Sequence, residues 1–90
     1  MTRLSMSDVA REALDSHDAL QASVLREPVT DGNGLPFDKD EWVAWHDADY
    51  KPTFARWDAA MKALAEVQGD PNMSRHPLNF RPVCERLVKS

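Results

Sequence analysis

Ninety residues, 42% apolar and 29% charged, specify one small globular domain with a thin core. A formal charge of −4 disfavours generic binding to nucleic-acid phosphates and suits a protein partner with a basic surface. A single cysteine, Cys84, rules out an internal disulfide and, with no uninterrupted apolar run in residues 1–25, predicts a cytoplasmic protein without signal peptide or membrane insertion.

The first element is an amphipathic helix over about 6–26. Met6, Ala10, Ala13, His17, Leu20 and Val24 recur at steps of four and three, which is one helical stripe. Ser5 is placed to cap it, Asp8 sits in the favourable first turn, and Leu4 and Val9 have the spacing of a hydrophobic staple. Met6 is also an alternative start to Met1. Pro28 ends the helix. Residues 27–37 then read as an ordered loop or a minimal hairpin, because Asp31-Gly32 and Asn33-Gly34 are turn pairs while Pro28 and Pro36 oppose long strands.

A second helix is predicted over 39–50. Asp38 and Glu41 stand in capping-box spacing, and Phe37 and Trp42 in staple spacing. Pro52 is expected to break the chain before a third helix over 54–68, with Thr53 as its cap. Phe54, Trp57, Met61, Leu64 and Gln68 form its stripe, and Gly69 followed by Pro71 makes a normal stop. Residues 70–79 read as a loop. A last helix over 80–88 takes Asn79 as cap, Pro82 in its first turn, and Phe80, Val83, Cys84 and Leu87 toward the core. The expected fold is therefore all-α, a single domain over 1–90 built as a small bundle of three to four helices.

Chemistry is sparse. His46 and Asp49 lie three apart on one helical face, and Asp47 adjoins them, but two ligands do not hold a metal. A structural place for His46 between Trp42 and Tyr50 is the better reading. His17 reads as a satisfied, partly buried histidine rather than a pH-sensitive contact. Asp31-Gly-Asn-Gly fails as a calcium loop, since Leu35 and Trp42 occupy its fifth and twelfth positions. Cys84 falls on an amphipathic helix, where an inert thiol is the usual case. No phosphate loop, dinucleotide fingerprint or nucleophile elbow is present. The expectation is a protein that is not an enzyme and uses no cofactor and no metal.

The informative segment runs from Glu41 to Trp57. It concentrates all three tryptophans and the one tyrosine of the chain, residue types enriched where proteins bind one another. Trp42, Trp45, Tyr50 and Trp57 are the expected partner-binding anchors, and Asp47, Asp49 and Asp58 the expected acidic rim. The occupant is another protein with a basic surface or a second copy of the chain. By size and charge, this describes a small acidic inhibitor or antitoxin-type protein of bacterial or phage origin that occludes its partner. The alternative is a DNA-binding regulator whose helices 39–50 and 54–68 form a helix-turn-helix-like pair, with nucleic acid disfavoured by the charge.

Overall fold

The computed structural model describes residues 5–28, 33, 35 and 38–89. Its elements are α1 (Met6–Leu25), α2 (Lys39–Trp45), a π-helical turn (His46–Tyr50), α3 (Lys51–Gln68) and α4 (Pro77–Lys89). All described regular structure is helical. Of the expected loop or hairpin at 27–37 only residues 27, 28, 33 and 35 are described, so its pairing, like the Leu4 and Phe37 staples, lies outside the described residues.

α1 begins as its sequence dictates: the Ser5 hydroxyl accepts from the Asp8 backbone N–H at 3.1 Å. α1 and α3 run antiparallel. Going up α1, Glu12 meets Arg56, Ser23 meets Trp45 and Arg26 meets Asp49. Alanines at 10, 13 and 60 let the two backbones close together, and Val9, Met61 and Leu64 fill the space around them. α4 supplies Phe80 and Cys84 as the third wall. The chain between α3 and α4 doubles back along α3. It leaves Met73 on the core and Arg75 on Asp58 at 2.5 Å, with the guanidinium 5.6 Å from the centre of the Trp57 ring.

The buried stripe of α1 differs from the expected one at both ends. Met6 and Val24 are exposed, while Val9, Ser16 and Ser23 are buried beside Ala10, Ala13 and His17. The hydrophobic cluster takes only Val9, Ala10 and Ala13 from α1, so Met6 at its first residue and Val24 near its end stay outside it. Ser16 is satisfied within its own helix, its hydroxyl donating to the Ala13 carbonyl at 3.2 Å.

The largest correction concerns Pro52. No break separates 39–50 from 54–68: Tyr50 and Lys51 keep right-handed helical angles, and one helical rod runs from 39 to 68. Proline lacks an N–H and its ring crowds the carbonyl four residues back. The turn just before it widens instead of breaking, and the Lys51 N–H bonds the His46 carbonyl five residues back. Thr53 accordingly caps nothing; its hydroxyl donates to the Asp49 carbonyl at 2.6 Å inside the rod.

Gly69 closes the rod with φ of 67°, and the Asp70 N–H reaches back to the Ala65 carbonyl at 3.0 Å, a Schellman stop. α4 starts three residues earlier than expected. His76, not Asn79, is its cap: its Nδ1 accepts from the Leu78 N–H at 3.2 Å, and Pro77 takes the first helical position. Pro82 consequently lies inside α4 rather than in its first turn, which leaves the Leu78 carbonyl without its helical donor on an exposed side of the helix.

Candidate protein-binding surface

The half of the rod formed by α2 and the π turn projects beyond the bundle. None of its residues is buried. The molecule is correspondingly long, 46 × 30 × 22 Å, with a radius of gyration of 15.7 Å. A compact chain of this length would have about 12 Å.

Why this arm is a helix is local. The Asp38 carboxylate accepts from the Glu41 N–H at 3.1 Å, and Asp40 and Glu41 occupy the first turn, where the helix dipole favours negative charge. Its attachment to the bundle is mostly polar. The Trp45 indole N–H donates to the Ser23 carbonyl at 3.0 Å, the Trp42 indole N–H to the Glu27 carboxylate at 3.1 Å, and Arg26 grips Asp49 with two hydrogen bonds of 2.7 and 2.8 Å. All three links land on residues 23–27, the end of α1. Arg26 holds the Asp49 carboxyl down at about 2, well below the usual carboxylate range, chiefly through its hydrogen bonds.

Along the arm the rings form a ladder. Trp42 stacks on His46 (5.1 Å between centroids), His46 on Tyr50 (5.6 Å) and Tyr50 on Phe54 (6.1 Å). Trp45 leans on both Trp42 and Tyr50 at 5.8 and 5.4 Å. A strict four-residue spacing drifts by about 40° per step around an α-helix of 3.6 residues per turn. The wider π turn drifts the other way, so the four rings stay nearly in line. The π turn just before Pro52 thus has a structural consequence: its widening aligns the aromatic stripe. Stacking also turns the ring faces toward one another and leaves the edges outward.

The structure brings Trp42, Trp45, Asp47 and Tyr50 together on the arm, and leaves each of these rings partly exposed. Trp57 is different. It is partly buried at the core margin, 6.4 Å from Phe80 and 6.0 Å from His17, and its indole N–H is buried with no acceptor among the described residues. Asp49 is taken by Arg26. Asp58 is taken by Arg75 and by Lys62 at 3.1 Å, which hold its carboxyl below the ordinary range. Of the three expected rim acids only Asp47 stays outward, touching His46 Nδ1 at 3.2 Å. The expected anchors and rim left out Val43, which is 39% exposed beside the ladder on the helix's apolar arc, and Asp40, exposed one turn before it. The four-residue repeat through His46 to Phe54 was the signal for the ladder; nothing local marked which acids Arg26 and Arg75 would reach.

Other chemistry gathers little. Among the described residues no three His, Cys, Asp or Glu side chains are grouped as a metal site, and no helix is long and apolar enough to cross a membrane. Cys84 is fully buried, and desolvation pushes its thiol up. Where a helix-turn-helix needs a corner, between 50 and 54, the helix is continuous. Comparison with protein-family models, curated proteins and solved structures finds no match.

Proposed function

We propose that this chain is a non-enzymatic protein-binding module of the inhibitor or antitoxin type, which lays its projecting aromatic arm on a basic surface of another protein and occludes it. One observation carries the reading: a helix of twelve residues, 39–50, bears three large aromatic side chains, Trp42, Trp45 and Tyr50, yet buries none of its residues in the fold. Aromatic side chains at the edge of solvent supply large contact area with little rotamer entropy to lose, which is the anatomy of a binding hot spot. A deep cleft with convergent polar groups, which catalysis would use, is not what the arm offers.

The test uses the full chain immobilised for capture from a bacterial lysate. The captured protein is then purified separately and recombined with the chain. The expected result is a stoichiometric complex that Val43→Glu disrupts, since Val43 is on the outer side of the arm and its replacement leaves the core untouched. A complex indifferent to Val43→Glu would overturn the reading. So would tight retention of random-sequence duplex DNA that falls steeply with salt.

A further inference from the structure

The charge pattern of the arm selects its occupant. Residues 38–50 carry five carboxylates and one lysine. Two of the five are used internally: Asp38 caps α2 and Asp49 binds Arg26. Asp40, Glu41 and Asp47 remain exposed, and none of them meets a lysine or arginine among the described residues. Asp40, Val43 and Asp47 follow one another at steps of three and four, so an apolar side chain sits between two carboxylates on one exposed helical stripe, alongside the ring edges of the ladder.

We propose, building on the protein-binding reading above, that the arm docks an amphipathic helical segment of its partner that presents lysine or arginine on both sides of an apolar stripe. The apolar stripe packs on Val43 and the edges of Trp42 and His46. The flanking cations pair with Asp40 and Asp47, and Glu41 extends the negative field. A second copy of the chain is the wrong occupant for this face, because it would bring the same uncompensated carboxylates against themselves. Electrostatic complementarity of this kind raises association rate and rejects acidic partners more than it deepens affinity.

The probe is a synthetic amphipathic helical peptide with arginines flanking a leucine stripe, paired with a counterpart in which glutamate replaces each arginine. Both are titrated against the full chain with tryptophan emission as readout. The basic peptide is expected to bind and to lose roughly tenfold in affinity between about 0.05 and about 0.5 M salt, while the acidic counterpart does not bind. The double variant Asp40→Asn/Asp47→Asn is expected to weaken the basic peptide roughly tenfold. Glu85→Gln, a remote change of one charge on α4, is expected to leave it unchanged. Equal binding of the two peptides, no binding of either, or indifference to the double variant would each overturn the proposal. If a captured partner still depends on Val43 while the peptides fail in any of these ways, the protein-binding reading stands and the basic-helix occupant falls.

Discussion

His17 shows how one side chain ties pH to the fold. It lies in α1 with Phe80 edge-on at 5.1 Å and Trp57 at 6.0 Å, and its Nδ1 pairs with Arg81 Nη1 at 2.8 Å. Arginine only donates, so Nδ1 is the acceptor and the ring is neutral. Burial lowers the pKa of His17, the neighbouring Arg81 cation lowers it further, and Asp18, which also bonds Arg81, opposes them more weakly. The folded pKa is below the ordinary 6.5, so above that value the ring is neutral in both states and costs nothing. As pH falls below it, the unfolded chain takes the proton first and stability drops. Urea midpoints are therefore expected to fall between about pH 7.5 and pH 5.5, and His17→Gln, which keeps an acceptor for Arg81, should flatten that slope. Asp49 acts at the other end of the range. Its depressed carboxyl contributes to holding the arm above about pH 4 and loses that contribution as pH falls through about 2.

The rod from 39 to 68 is the element that gives the molecule its shape. Two devices at its ends were readable from short spacings, the Asp38 cap and the Gly69 stop, because caps and left-handed glycines depend on a few neighbours only. The middle was not readable. Proline is a strong local breaker, but a widened turn lets the helix pass it, and the stacking of Trp42, His46, Tyr50 and Phe54 favours the continuous form. Pro52→Ala is expected to raise stability by ~1 kcal/mol or more. It should also return the π turn to α-helix and rotate the ladder out of line, which near-UV circular dichroism of the coupled rings will register. An unchanged near-UV spectrum would show that the rings, not the proline, hold the π turn.

At the scale of the whole molecule there are two stabilities. The bundle of α1, α3 and α4 encloses Met61, Leu64, Phe80 and Cys84, while the arm is held by Arg26, Ser23 and Glu27. Exposed ion pairs and single hydrogen bonds are worth far less than a closed core. Amide exchange is therefore expected to open residues 42–48 well before residues 60–64. Asp49→Asn should lower protection of the arm and leave that of Leu64 intact. If both fall together, the arm is part of the cooperative core and is not a separately held surface.

The amino-acid sequence by itself determined the helical class, the starts at Ser5 and Asp38, the stop at Gly69 and the concentration of rings between 41 and 57, because each of these is set within one or two helical turns. Tertiary structure decided which of those rings and acids face outward. Trp57 went to the core wall, and Asp49 and Asp58 went to arginines 23 and 17 residues away in the chain. Charge pairing across helices depends on which faces the bundle brings level, and no local spacing carries that information.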